Sequence, residues 1–182
     1  MGLILFLAVI VVIALWIIGA YNGLVALKNR VANAWKQIDV QLKRRHDLIP
    51  NLVNTVKGSM DFERSTLEAV ISARSRAVSA TGVQATAKAE GELTQALGRL
   101  FALTENYPDL KANQNFLNLQ EELTSAEDRV AYARQFYNDS VLSYNTQIQK
   151  FPTVLLAGWF HFEKREFFDA APEDTETPQV QF

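Results

Sequence analysis

The chain has 182 residues, of which 48% are hydrophobic and 21% charged, with 18 Lys and Arg against 20 Asp and Glu. A formal charge of −2 provides no basic excess for a polyanion, which argues against nucleic acid as a partner. The absence of cysteine excludes disulfides, thiolate nucleophiles and Cys-ligated zinc, and two histidines, His46 and His161, argue against a multi-His metal site within one chain.

Residues 1–21, MGLILFLAVIVVIALWIIGAY, carry no charged side chain, and none appears before Lys28. At 1.5 Å per residue, a helix over 2–20 covers roughly 28 Å, close to the hydrocarbon thickness that a spanning helix must match. Leu3, Phe6, Ile10 and Ile13 belong to its apolar body. Such residues favour the bilayer centre by roughly 0.3–0.6 kcal/mol each, with no charge to offset them. Trp16 and Tyr21 sit where amphipathic rings prefer the interface. A cleaved signal peptide fits less well, because the apolar run is long, a basic leading region is missing, and Ile18, Gly19 and Ala20 make a poor cleavage site. A retained single-pass anchor in the inner membrane is therefore expected, with the lipid bilayer as a partner. Lys28, Arg30, Lys36, Lys43, Arg44 and Arg45 follow it against the single acid Asp39. That bias predicts the N-terminus outside and the remaining domain in the cytoplasm; the alternative, a domain on the outer (periplasmic) side, stays open because the rule weakens for long domains.

Beyond the anchor, residues 22–168 read as one all-α domain. Leu24, Leu27, Val31, Trp35, Ile38, Leu42, Ile49, Leu52 and Val56 recur in alternating three- and four-residue steps, the seam of a bundle or coiled coil, with Arg45 in the one polar place. The stripe continues weakly through Met60, Leu67, Val70 and Val78 until Gly82 marks a turn. A second helix is predicted over 86–106 with Leu93, Leu97, Leu100 and Leu103. Tyr107 and Pro108 break it, because a proline pushes its predecessor out of the helical region, and Asp109 is placed to cap the next helix. The third helix, about 112–150, carries Phe116, Leu119, Leu123, Ala126, Val130, Ala133, Tyr137, Val141, Tyr144, Ile148 and Phe151 at near-heptad spacing up to Pro152. Residues 169–182 form an acidic, Pro-containing tail with the composition of a flexible terminus.

Helix lengths pose a problem. A helix over 24–80 would reach roughly 85 Å, against about 58 Å for the third and 32 Å for the second. Either the long helix breaks near residues 47–50 or at Gly58, or its membrane-proximal stalk, about 22–46, leaves a stripe uncovered. An uncovered stripe of Leu24, Val31, Trp35 and Ile38 would be a self-association surface and predicts a homo-oligomer. Within QLKRRHDLIPNLVNTVKG (41–58), Asp47 can cap a new segment that holds Pro50 in its first turn, which reads as a hinge. Asn51 and Asn54 are then expected to cover the carbonyl that Pro50 leaves without a donor. Arg45 needs an acid, and Glu127 and Asp128 are the candidates.

The Tyr-Asn pairs, Tyr21-Asn22, Tyr137-Asn138 and Tyr144-Asn145, read as an interhelical seam in which hydroxyls and amides satisfy one another. Trp159, Phe160, Phe162, Phe167 and Phe168 are expected to pack across the open end of the bundle, with an interfacial amphipathic helix as the alternative.

YNGLVALKNRVANAWKQIDVQLKRRHDLIPNLVNTVKG, ENYPDLKANQNF, YNDSVLSYNTQIQKFP and the closing PQVQF, in that order, resemble the LemA family of bacterial membrane-anchored proteins. The resemblance implies an antiparallel, up-and-down, four-helix-type bundle behind one membrane helix. It brings no assigned catalytic activity, because the family's biochemical role is not established; relatives are linked to membrane organisation and often encoded near membrane proteases. Where the family usually has an aromatic-small pair and then His-Glu, this chain has SMDFE at 59–63. No HExxH, Gly-rich phosphate loop or GxSxG is present, and Glu121, Glu122, Glu127 and Asp128 read as a solvated helix face. The expectation is a non-enzymatic membrane-anchored scaffold or adaptor with no cofactor, metal or small-molecule substrate. The alternative is a regulatory partner of a membrane protease or envelope-stress system.

Overall fold

A computed structural model of the chain describes residues 1–58 and 64–168. The acidic tail expected over 169–182, together with Met60 and the rest of residues 59–63, lies outside the described residues. Among those described, the fold is all-α: α1 (Gly2–Lys57), α2 (Arg64–Ser79), α3 (Val83–Thr104), α4 (Pro108–Lys111), α5 (Gln114–Gln149) and α6 (Thr153–Trp159). They divide into two compact units. One contains Met1–Gln37 and Gln135–Glu166; the other contains Ile38–Arg134 with Phe167 and Phe168.

In the first unit the apolar start of α1 is exposed throughout, including Leu3, Phe6, Ile10, Ile13 and Trp16, and it is long and apolar enough to cross a membrane. The same helix continues without a loop into a part whose inner face is covered. Leu24 and Val31 are buried, Trp35 is half-buried with its ring 5.4 Å from that of Tyr137, and Tyr137, Val141, Tyr144 and Ile148 are buried on α5. Arg30 lies over the exposed ring of Phe136 at 5.4 Å. The stripe expected to stand uncovered is thus occupied inside the chain, since Leu24, Val31 and Ile38 are all buried. The helix-length mismatch is met by folding, not by an open face.

In the second unit, Ile49, Leu52, Val56, Leu67, Val70, Leu93, Leu97, Leu100, Leu110, Phe116 and Leu123 form one core. Burying such side chains contributes about 1.5–3 kcal/mol each, which is what holds helices of ordinary propensity in place. On α2 the buried face runs Leu67, Val70, Ala73 and Ala77, and Val78 points outward instead. The turn between α2 and α3 is closed by Gly82 at φ +88° and ψ 161°, a conformation open to glycine and strained for other residues. α3 ends at Thr104, ahead of Tyr107 and Pro108. Pro108 then occupies the first turn of the short α4, where its missing N–H costs little. Asp109 lies inside α4 and caps nothing after it; the cap of α5 is Asn113, whose Oδ1 accepts from Asn115 N at 2.9 Å and Phe116 N at 3.3 Å. Phe151 falls beyond the end of α5 and is exposed, so the heptad pattern stops at Ile148.

The hinge expected at residues 47–50 is not there. α1 runs through Asp47 and Pro50 and breaks at Gly58. A proline inside a helix orphans the carbonyl four residues earlier, here that of His46. Arg74 of α2 supplies the missing donor, with Nε donating to His46 O at 2.8 Å. Asn51 and Asn54 do not cover it: both are exposed, and the Asn51 carbonyl accepts from Thr55 Oγ1. Asp47 caps nothing; it pairs along the helix surface with Lys43 at 2.9 Å.

Candidate functional site

The second unit holds a buried polar cluster against its leucine core. Arg45 takes the one polar place in the α1 seam, and its side chain is only 3% exposed. Burying a guanidinium demands a fixed acid and further acceptors. α3 supplies the acid: Glu90, 6% exposed, accepts from Arg45 Nη1 at 3.0 Å. The second carboxylate oxygen of Glu90 lies 2.6 Å from His46 Nε2, so one acid bridges two consecutive residues of α1. Arg45 Nη2 donates to Thr94 Oγ1 at 2.7 Å, one turn along α3, and lies 3.6 Å from Glu127 Oε1 on α5. Arg45 Nε is buried and makes no hydrogen bond. Three helices therefore meet at one cation.

The expected partners of Arg45 are corrected in part. Glu127 is within ion-pair distance but more than half exposed, Asp128 takes no part, and the principal acid is Glu90, a residue type that inside a helix is ordinarily solvated. A signal did exist: among the positions that continue the Leu93, Leu97, Leu100 face backward, Glu90 is the one acid. Beside the cluster lies an open cleft of about 350 Å³, lined in part by Asp39, Lys43, His46, Asp47 and Arg74. Burial pushes the Asp39 carboxyl above its ordinary value. Glu90 joins the imidazole to the guanidinium, and the one hydroxyl bonded to the cluster among the described residues, Thr94 Oγ1, accepts from Arg45 and has no hydrogen bond to a base.

The first unit carries a second polar arrangement, built from the Tyr-Asn motif. Asn145 is buried on α5, and its amide pairs with the backbone of the segment after α6: Nδ2 donates to Arg165 O and Oδ1 accepts from Arg165 N, both at 2.8 Å. Tyr137 Oη donates to Glu166 O at 2.9 Å. Tyr144, 1% exposed, lies beneath the same segment, and burial raises the pKa of both tyrosines while Arg165 opposes the rise. Tyr137 and Asn145 thus satisfy the backbone of a non-helical segment instead of a neighbouring helix. Residues 162–168 are not helical, so the interfacial amphipathic helix considered for them does not form. Phe168 is buried, as the packing expectation required, whereas Trp159 is exposed. In the second unit Gln84 Nε2 donates to Phe167 O at 3.1 Å.

Among the described residues, no three His, Asp or Glu side chains are grouped to hold a metal ion. Comparison with known proteins gives similarity over most of the chain. "Magnetosome protein MamQ 2" of Paramagnetospirillum magneticum is 28% identical over 189 aligned positions, covering 88% of this chain and 70% of that protein. "Magnetosome protein MamQ" of Magnetospirillum gryphiswaldense is 27% identical with the same coverage. "Protein LemA" of Metamycoplasma hominis is 30% identical over 142 positions, 77% of this chain and 64% of that protein. The model of the LemA family matches residues 34–182, which include the buried cluster, the Tyr-Asn clasp and the segment it holds. The chain belongs to the LemA family.

Proposed function

We propose that the protein is a non-enzymatic scaffold or adaptor, held in the inner membrane by residues 1–21 and presenting helical surfaces to other membrane proteins or to copies of itself. The observation that carries this reading is the continuity of α1: an exposed apolar span passes without a loop into a helix face packed on α5. A flexible tether would let a domain roam, whereas a shared helix fixes the height and tilt of the adjoining surface relative to the bilayer. The polar groups of the buried cluster are directed at one another, a structural use of charge and not a reactive one. None of the relatives' names specifies a reaction.

Exposed apolar side chains on the helical surfaces, Tyr132 and Leu142 on α5 and Ile71 on α2, are the places to look for the partner. Photo-crosslinking residues at these positions, activated in native membranes, are expected to give discrete adducts of fixed mass. A self-adduct supports homo-oligomeric scaffolding, and an adduct with a membrane protease supports the adaptor role. Absence of any protein adduct at all three positions refutes the reading. The basic residues after the span support a cytoplasmic bundle, the orientation that the proposal adopts. Since the chain has no cysteine, Glu121→Cys introduces a single thiol, and a membrane-impermeant reagent should leave it unlabelled in intact cells.

A further inference from the structure

The short helix α6 (Thr153–Trp159) faces the wrong way for a soluble protein. Its inner positions, Thr153, Leu156 and Ala157, are buried. Its outer positions are also apolar: Val154 and Leu155 lie one turn before Gly158 and Trp159, with Phe151 one turn earlier again. These residues recur at the spacing of a helix face, but the face points outward, with Phe151 81%, Leu155 65% and Trp159 78% exposed. A helix apolar on both faces is one whose outer side is covered by something other than water.

The position of this face says what covers it. Phe160, the residue after α6, packs its ring edge-on against Tyr21 with centroids 4.9 Å apart, and Phe162 packs on the same tyrosine at 5.8 Å. Tyr21 directly follows the apolar run of α1, where a spanning helix leaves the hydrocarbon. The outer face of α6 is therefore joined by ring contacts to the emergence point of the span. Its chemistry suits that depth, because Trp and Phe with Leu and Val fill the boundary between acyl chains and headgroups. Lys28, whose Nζ lies 5.9 Å over the Phe162 ring, and Lys150, next to Phe151, add cations at the same end.

We infer that Phe151, Val154, Leu155, Trp159 and Phe160 form a second membrane contact, inserted into the bilayer interface beside the transmembrane helix. The inference rests on residues 1–21 being a membrane span. The first unit then meets the bilayer at two adjacent places, which restricts rotation about the axis of α1 as one helix alone cannot.

The chain has three tryptophans, and each can be isolated by replacing the other two with Phe. Each single-Trp, full-length protein is reconstituted in vesicles whose phosphatidylcholine is brominated near the headgroup end of one acyl chain. Trp159 is expected to lose about half its emission or more, as an interfacial ring in contact with the quencher should. Trp16, inside the span, is expected to be quenched as well. Trp35, about 21 Å beyond Tyr21 along the helix, is expected to keep its emission. Quenching of Trp16 with an unaffected, iodide-accessible Trp159 overturns the second contact and leaves the anchor standing. A Trp159 protected from both brominated lipid and iodide assigns the face to a second copy of the chain and also overturns the proposal. An unquenched Trp16 removes the span and the contact with it. A nitrobenzoxadiazole label on Leu155→Cys, with all three tryptophans kept, reads the same face without altering Trp35, and its emission must lie to the blue of the same label on Glu121→Cys.

Discussion

Glu90→Gln is the sharpest perturbation of the buried cluster, because it removes a charge while leaving shape and volume nearly unchanged. In the parent, Glu90 faces the Arg45 guanidinium at 3.0 Å with both side chains almost fully buried. At an effective dielectric of about 20, a unit charge pair at that distance attracts by about 5 kcal/mol, a gross figure from which desolvation must be subtracted. Breaking one side of a buried pair costs about 3–5 kcal/mol, since the remaining charge stays buried and uncompensated. Glu127 at 3.6 Å offsets only part of this, because it is more than half exposed and therefore screened. For a chain of this size each kcal/mol shifts the midpoint by about 2–4 °C, so Glu90→Gln is expected to melt about 10 °C lower. The assay is thermal unfolding of the full-length protein in detergent micelles, followed by circular dichroism. Arg45→Met/Glu90→Met, which removes both charges, is expected to recover most of the loss, short of the roughly 1–3 kcal/mol for leaving the His46 ring without its acceptor. A Glu90→Gln midpoint within about 2 °C of the parent refutes the reasoning, and so does a double variant no more stable than the single one.

Arg74→Met should cost about 1–2 kcal/mol by leaving the His46 carbonyl without a donor. In a Pro50→Ala background the restored helical N–H supplies that donor, so chemical denaturation of the four proteins should show the Arg74 effect at least halved; a strictly additive cycle contradicts the role given to Arg74. Asn145→Ala removes both hydrogen bonds to Arg165, and hydrogen exchange at the Arg165 amide should accelerate by about tenfold or more, equivalent to about 1.4 kcal/mol, while amides in α3 are unchanged. Tyr137 and Tyr144 have their pKa values raised above the ordinary 10.0, so the folded state favours the neutral phenols. Their contribution is complete below pH 10.0 and is lost as pH rises through the higher folded values. Stability measured against pH should therefore decline above that point, and Tyr137→Phe/Tyr144→Phe should flatten the decline.

Periodicity made the fold class, the apolar span, the α1 seam and the turn at Gly82 legible, because each depends on residues close in sequence. The break in the long helix was legible only as an alternative. Pro50 normally ends or kinks a helix, and what rescues it is a guanidinium 28 residues beyond the orphaned carbonyl, a distance that no local pattern reports. Arg45 is legible as a misfit in an apolar seam, but its partner is not, because local charge density points to the acidic stretch of α5. A buried acid is chosen by geometry and not by local charge density, and Glu90 is a single carboxylate on a leucine face. The Tyr-Asn pairs are legible as groups needing partners, yet the partners of Tyr137 and Asn145 are carbonyls and an amide in a segment without regular structure. The reading of an open stalk failed for a related reason: a stripe shows that a face wants covering, and only the fold shows that the same chain covers it.

The cluster also answers a question that the apolar seam raises. A stripe of alternating three- and four-residue steps is nearly unchanged by a slip of one heptad, so hydrophobic burial by itself leaves the axial register of long helices weakly defined. In the second unit such a slip along α3 would set Arg45 against Leu97 in place of Glu90 and strand both charges in the core. At about 3–5 kcal/mol for each uncompensated buried charge, that penalty adds to the apolar burial lost at the helix ends. One bridging acid, shared by Arg45 and His46, thus selects a single alignment of α1 on α3. The double variant separates the two roles. A charge-free seam should keep most of its melting temperature while losing protection from hydrogen exchange along the buried face of α3, because several registers of similar energy then exchange with one another.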